Sequence, residues 1–536
     1  MLTARGASPR FLFTGLIIKG AVLAKICICL TAKTIQKDLE ILDKYRKYTD
    51  LAELRVDCLD PDERLNIRRF PELAELPVIL TIRRDSDGGY FSGGEGARVK
   101  LLARGLAFAE ADRRKNFAYV DIEEDIDVQS LEEAARTFGT KIIRSYHNTE
   151  GIIDNIPAKI NSMKRTGDEI IKMALKTNTT SDVASVYRAA KESTVQDKII
   201  VCMGQYGFYS RILCDKFGSF MTYSSALSEN VVPGAAWQLD VQELNELFRF
   251  RNITKKTKVY GITGNPLKAS ISTWIFNTVF GIENIDAVYV PFPTDSINDF
   301  LDLAEDMDVQ WLSVTVPYKE AVLPMLVRRS AAVHSIGACN VMFRSSDGWF
   351  GDNTDCTSFS ALILAFLGKN NLKWKKVTII GAGGVARAVA AEVFRLGGKA
   401  LILNRTIHKA KDLASLYGFR WGGLDEHGIE LVYKYSDIII QATSVGMAGY
   451  DVSDPLELYS FTGKEIVMDL VYYPAQTPFL TRAAAAGCKT INGYNMVTYQ
   501  ACHQYNQIMG REISQQLLSR VINIVGASSW NKIRTD

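Results

Sequence analysis

The sequence holds no uncharged apolar run of the roughly 18 residues that a bilayer-spanning helix needs. It also has little surplus of charge. Its 63 basic and 60 acidic residues leave +3, too weak a field to argue for nucleic acid or an anionic membrane as partner. Any anionic ligand must then be held by local clusters. No C-x-x-C pair occurs among the nine cysteines, so a zinc site or a disulfide framework lacks support, and reduced thiols in a reducing compartment are expected. Acidic residues are missing altogether from positions 1 to 37. There Arg5 and Arg10 precede the apolar run Phe11 to Ile18, as in a signal segment, but Lys19 interrupts it and Ala21 to Ala24 offers no clean cleavage site. Residues 1–23 read as an unstructured extension of a cytoplasmic protein, with a plastid transit peptide as the alternative.

The remaining length is ample. A chain of 536 residues, 47 % hydrophobic and 23 % charged, suits two large α/β parts. The first half repeats a strand-then-helix rhythm. Eight β-rich runs begin near Lys25, Leu51, Pro77, Phe117, Lys141, Glu169, Lys198 and Ser219, which fits a (β/α)8 barrel over 24–250. The polar segment 251–258 reads as a linker. A second α/β pattern opens at 259. Within it the strand KVTII, the turn GAGG, a helical run and the strand ALILN form a βαβ dinucleotide unit. A Rossmann lobe is expected over 359–494. A substrate-binding lobe is expected over 259–358, joined by helices from 495–526.

Several ionisable residues fall on barrel strands or just after them: Glu53, Arg55, Arg83, His147, Lys172 and Arg211. Lys172 lies inside an apolar strand, where lysine is seldom left without a partner. The strand alone leaves its direction open. Pointed inward, a desolvated amine can attack a ketone and form an imine. His147, one of five histidines, follows the neighbouring strand and suits acid–base work beside it. The three arginines would then converge on an anionic substrate.

ELRVD, the arginine after the TI of strand three, SYHN, IKMA and MG…SR resemble type I 3-dehydroquinate dehydratases. The resemblance implies that Lys172 forms an imine with the substrate's C3 ketone. It implies that His147 removes a C2 proton and protonates the departing C1 hydroxyl. Arg211 would hold the carboxylate, while Glu53, Arg55, Arg83 and Asp87 bind and order the ring. Three departures stand out. Asp87 replaces a usual glutamate, Val231 a common serine, and the closing loop reads Pro233-Gly234-Ala235-Ala236-Trp237-Gln238 instead of P-G-Q. Gln238 is expected to serve after that insertion.

In the second half, Gly381 supports a tight turn and Gly383 allows backbone to approach a pyrophosphate, with Ala382, Gly384, Val385 and Ala386 opening the helix. The next strand ends in Asn404-Arg405-Thr406 rather than in an acid. With Lys409 one helical turn on, Arg405 favours a 2′-phosphate, hence NADP. Loops before this unit carry Ser270, Ser272, Thr315, Lys319, Asn340 and Asp355, a set suited to a polyhydroxy substrate and a Lys/Asp proton-transfer pair. With the ATSVGM, DLVY and Gly493…Met496…Gln500 segments, the set resembles shikimate dehydrogenases. That resemblance implies Lys319 and Asp355 as the catalytic pair. It assigns substrate contacts to Ser270, Ser272, Thr315, Asn340, Tyr472 and Gln500, and cofactor contacts to Thr443, Ser444, Gly493 and Met496 as well as the turn. Ala269, Thr273 and Phe276 depart from its serine motif. The two halves imply consecutive reactions, with small molecules as the only partners, no metal, and the oligomeric state open. Two alternatives remain: a quinate/shikimate dehydrogenase with a degenerate dehydratase half, and a non-catalytic regulator built from the same domains.

Overall fold

The computed structural model describes residues 24–107, 110–229, 231, 234–235, 237–267, 270–448 and 451–532. The extension expected over 1–23 lies outside them, as do Pro233, Ala236 and Ala269. Two compact units divide between Thr257 and Lys258, apart from Asn178–Ala184, which groups with the second.

The first unit is a curled parallel sheet of nine strands: β1 (Lys25–Leu30), β2 (Leu51–Arg55), β3 (Val78–Thr81), β4 (Tyr119–Glu123), β5 (Lys141–Asn148), β6 (Ile170–Lys176), β7 (Lys198–Met203), β8 (Met221–Ser225) and the short β9 (Leu239–Asp240). Its order is β7-β6-β5-β4-β3-β2-β1-β8-β9, the sequential pairing of a (β/α)8 barrel. Nearly continuous apolar runs form the strands because a parallel sheet is buried on both faces. Side chains alternate across each strand. Cys27, Cys29, Ile143, Ile170, Ala174, Ile199, Val201, Met221 and Tyr223 meet in one interior cluster. The ladder does not close between β7 and β8, where Phe220 N–H donates to Lys198 O at 2.7 Å.

Two expectations change here. The seventh β/α unit has no α-helix: after β7 the chain makes a 3-10 turn, Phe208–Ser210, followed by further turns to β8. Glycines at 204 and 218, both at positive φ, favour such turns over a continuous helix. His147 lies within β5 and not in the loop after it, held by pairing of Tyr146, His147 and Asn148 with Met173, Ala174 and Leu175.

The second unit contains two sheets. The first has the order β11-β10-β12-β14-β15-β13, built from β10 (Lys258–Gly264), β11 (Ala287–Pro293), β12 (Val309–Val314), β13 (Leu326–Arg329), β14 (Val341–Ser345) and β15 (Gly348–Asp352). β10 runs parallel to β11 and β12, whereas β14 is antiparallel to β12 and β15. The other sheet is wholly parallel, ordered β18-β17-β16-β19-β20-β21. Its strands are β16 (Lys376–Ile380), β17 (Lys399–Leu403), β18 (Arg420–Gly422), β19 (Ile438–Gln441), β20 (Ile466–Asp469) and β21 (Lys489–Ile491). The strand order reverses between β16 and β19, and ligands of such sheets bind beyond the strand ends at that switch point.

Helix boundaries depart from the sequence reading. Helix Asp355–Leu367 runs through the boundary expected at 358/359, and Lys258, assigned to the linker, begins β10. The returning helices are Gly493–Met509 and Gln515–Lys532, longer than the expected 495–526. Tyr505, Val521 and Val525 join Phe276, Phe280 and Tyr289 in the core of the first lobe.

Candidate active sites

A cavity of about 410 Å³ opens at the C-terminal ends of the barrel strands. Glu53, Arg55, Arg83, Asp87, His147, Lys172, Arg211 and Gln238 all line it. Lys172 points inward and is 6 % exposed. Its amine donates to Asp121 Oδ2 at 2.9 Å, lies 3.7 Å from Glu53 Oε1, and stands 4.4 Å from the centre of the Tyr223 ring. These surroundings are not the apolar ones that the strand sequence suggests.

Carboxylates engage two of the three arginines. Arg55 makes a paired contact with Asp57 (3.0 and 2.7 Å) and donates to Gly234 O. Arg83 pairs with Asp121 at 2.8 Å and Glu123 at 2.6 Å. The three arginines expected to converge do line one cavity, but carboxylates already hold Arg55 and Arg83. Arg211 is 3 % exposed, and its Nε and Nη2 have no hydrogen-bond partner. Burial pushes its pKa down to about 10. A buried cation with unmet donors is costly, and a ligand carboxylate would satisfy both donors. The Tyr223 hydroxyl is likewise buried without a partner.

His147 Nδ1 contacts Arg83 Nη1 at 3.2 Å. Guanidinium only donates, so Nδ1 is the acceptor and the ring is neutral. Burial, reinforced by the charges of Arg83 and Lys172, holds its pKa well below 6.5. Burial works the other way on Asp121, but Arg83 and Lys172 outweigh it and hold the carboxyl far below the usual range. Asp121 therefore stays ionised and orients the amine.

Asp87 reaches the rim but is tied to Arg84 at 2.8 Å. Gln238 is fully in the site: its Oε1 accepts from the Ser225 hydroxyl at 2.6 Å and its Nε2 donates to Cys29 Sγ at 3.1 Å. Cys29 in turn donates to Glu53 Oε2 at 3.0 Å. Asp57, Asp121, Glu123 and Tyr223 were not among the expected residues. Asp121 and Glu123 alternate inside the apolar strand FAYVDIE, the same signal that marks Glu53 and Arg55.

In the second unit, Lys319 Nζ donates to Asp355 Oδ2 at 2.5 Å, and Asp355 is fully buried. Asp355 Oδ1 accepts from Asn340 Nδ2 at 2.8 Å and from Gln500 Nε2. The carboxylate at the start of helix Asp355–Leu367 thus gathers three expected residues. Ser270 instead caps helix Ile271–Ile282, its hydroxyl accepting from Ser272 N at 3.3 Å. Ser272 faces the Tyr289 hydroxyl. Thr315 packs against Gly264 at the end of β10, and Tyr472 is half-buried against the same lobe's core. Phe276 stacks on Tyr289 at 4.8 Å between ring centres, so this departure serves packing.

The dinucleotide turn sits at the switch point. Gly381 adopts φ +116°, and a Cβ there would come within 2.9 Å of Ala442 O. Gly383 precedes the 12-residue helix Gly384–Arg395 with no side-chain cap, which leaves N–H groups free for a phosphate. The side chains of Ala382 and Ala386 are core, with Val385 packed beside them, so the turn offers backbone. Arg405 and Lys409 are exposed around the start of helix Ile407–Ser415, whose N-cap Thr406 makes no side-chain cap bond. Asn404 Nδ2 donates to Thr406 O, and the Thr443 hydroxyl, next to Ser444, accepts from Val445 N. These groups fit a dinucleotide with a 2′-phosphate. Met496 packs into the lobe's core, and Gly493 N–H donates to Val471 O.

The first unit thus presents a lysine between carboxylates in a barrel, and the second a lysine–aspartate pair beside a dinucleotide turn. Comparison with known proteins agrees with both. Three family models match in succession: type I 3-dehydroquinase over residues 26–255, shikimate dehydrogenase substrate binding domain over 262–342, and shikimate / quinate 5-dehydrogenase over 364–448. The bifunctional 3-dehydroquinate dehydratase/shikimate dehydrogenase of Arabidopsis thaliana, a chloroplastic protein, is 29 % identical over 92 % of this chain and 84 % of its own. The shikimate biosynthesis protein AroDE of Chlamydia pneumoniae is 26 % identical over 89 % of this chain and 92 % of its own. The NADP⁺ shikimate dehydrogenase of Pyrococcus abyssi is 33 % identical over 49 % of this chain and 97 % of its own. The chain belongs to the shikimate dehydrogenase family and carries a type I 3-dehydroquinase domain ahead of that part.

Proposed function

We propose that the barrel dehydrates 3-dehydroquinate to 3-dehydroshikimate through an imine at Lys172, and that the second unit reduces 3-dehydroshikimate to shikimate with NADPH. One observation carries the first half: the cavity that holds Lys172 also holds Arg211, a buried guanidinium with two unmet N–H donors. A monocarboxylate with a ketone fits that pairing.

Asp121 orients the Lys172 amine, and neutral His147 accepts a proton at Nδ1 in place of the Arg83 N–H. Lys172 adds to the C3 carbonyl and water leaves, giving the imine. His147 then takes a proton from C2 and returns it to the C1 hydroxyl, which departs as water. Hydrolysis releases the enone and restores the amine. In the second unit NADPH, when bound, supplies the hydride for C3. Lys319 gives a proton to the C3 oxygen as the alcohol forms, and Asp355, fixed by Asn340 and Gln500, holds the lysine in place.

A coupled assay tests both halves. With 3-dehydroquinate and NADPH, absorbance of the reduced cofactor is expected to fall. Lys172→Ala is expected to abolish that fall, and added 3-dehydroshikimate to restore it. Persistent turnover of 3-dehydroquinate in the variant would remove Lys172 from its role, and a preference for quinate with NAD would displace the shikimate reading. The cytoplasm is the location we favour, with a plastid, as in the chloroplastic relative, the alternative. Among the described residues no helix is long and apolar enough to cross a membrane.

A further inference from the structure

Strand β6 carries a second lysine that the mechanism above does not use. Residues of one parity share a strand face, so Ile170, Lys172, Ala174 and Lys176 all turn inward. Ile170 and Ala174 belong to the interior apolar cluster, and Lys172 lies between Asp121 and Glu53. Lys176 is exposed and lines the mouth of the same cavity. Four residues of strand set the Cα atoms of the two lysines about 13 Å apart.

Lys176 has no ion-pair or hydrogen-bond partner among the described residues. Asp87, the rim carboxylate, is taken by Arg84. Deeper in, Arg55 and Arg83 are neutralised by Asp57, Asp121 and Glu123. Two of the cavity's cations therefore remain uncompensated: Lys176 at the mouth and Arg211 within.

We propose that Lys176 is a capture residue, which attracts the carboxylate of the incoming substrate at the mouth and yields it to Arg211. The proposal rests on the dehydratase reading of the barrel. An exposed ammonium offers a weak contact that salt screens within about 10 Å at 0.1 M. Arg211 is dry and can bind a carboxylate with two N–H groups, so transfer inward is downhill. A single weak contact at the entrance changes the concentration of substrate there and leaves the bond-breaking steps alone.

Steady-state dehydration of 3-dehydroquinate by the full chain, followed through the enone's absorbance, separates the possibilities. Wild type, Lys176→Gln, Lys176→Glu and Lys176→Arg are compared at ionic strengths of about 0.02 M and 0.5 M, either side of effective screening. At low salt Lys176→Gln is expected to raise KM about two- to fivefold, the range for one exposed ion pair, and Lys176→Glu to raise it further. Lys176→Arg should resemble wild type, kcat should change less than twofold throughout, and the KM differences should vanish at high salt. An unchanged KM at low salt, a loss confined to kcat, or a KM effect that survives high salt each refutes capture alone. Absent turnover in wild type would overturn the dehydratase reading and the proposal with it.

Discussion

Arg211→Met is expected to make the barrel more stable and the dehydratase nearly useless. Burial lowers the guanidinium's pKa by more than two units, to about 10. At about 1.4 kcal/mol for each tenfold change, that marks a cost on the order of 3 kcal/mol for holding the charge in the folded protein. The unmet Nε and Nη2 give the same order, at about 1–3 kcal/mol for each buried donor without a partner. Methionine fills similar length with no donor, so roughly 2–4 kcal/mol should be recovered. For a domain of this size that is a rise on the order of 5–10 °C in the barrel's melting transition. Substrate binding moves the other way. Losing a buried, two-point guanidinium–carboxylate contact costs about 2–5 kcal/mol, so KM for 3-dehydroquinate should climb by a factor between about 30 and a few thousand. Calorimetry on the full chain gives the first quantity, with the second unit's transition as internal reference, and initial rates give the second. A lower melting temperature for the barrel, or an unaltered KM, refutes the assignment of Arg211 as an unpaired cation awaiting a carboxylate.

His147, whose pKa burial and the charges of Arg83 and Lys172 hold well below 6.5, should keep dehydratase kcat flat from pH 8 to about 6.5. The unfolded chain takes up a proton near 6.5 that the native ring refuses. The native state therefore keeps this contribution above that pH and loses it as pH falls, and His147→Gln should flatten the slope in denaturant titrations. An acid limb in kcat at 6.5 would show that the ring titrates normally. Gly384→Ala puts a Cβ 2.9 Å from Lys319 Cδ, so the lysine must shift by about 0.5 Å, enough for roughly a tenfold fall in kcat with 3-dehydroshikimate. Alanine favours helix, so the melting temperature should hold or rise, and wild-type kcat at saturating NADPH would disprove that contact.

Much of this was readable from the chain alone, for identifiable reasons. Strand alternation put Glu53 and Arg55 on one face of β2, whereas the strand around Lys172 left its direction open. The glycine turn and the absent acid after β17 set the dinucleotide site, because backbone approach and a 2′-phosphate each demand a particular residue type. Pairing was less legible. Nothing in the strand sequences says that Glu123 engages Arg83, forty residues away, or that Asp57 turns back on Arg55, two residues before it. Ser270, expected on substrate, also caps a helix, a local bond that any serine at that position tends to make. The missing seventh helix is hard to read from the chain because the apolar residues after β7 allow a helix, and only glycine placement argues against one.

Where β7 meets β8, the staves of the barrel are joined by little main-chain bonding, and the stretch that stands in for the seventh helix carries Arg211. A hoop slit along one side spreads most easily at the slit. A molecule pinned covalently to β6 and clasped by Arg211 would act as a rivet across neighbouring staves. Under the proposed mechanism the reactant would be a temporary part of the frame, stiffening it while the bond to Lys172 lasts and loosening it on release.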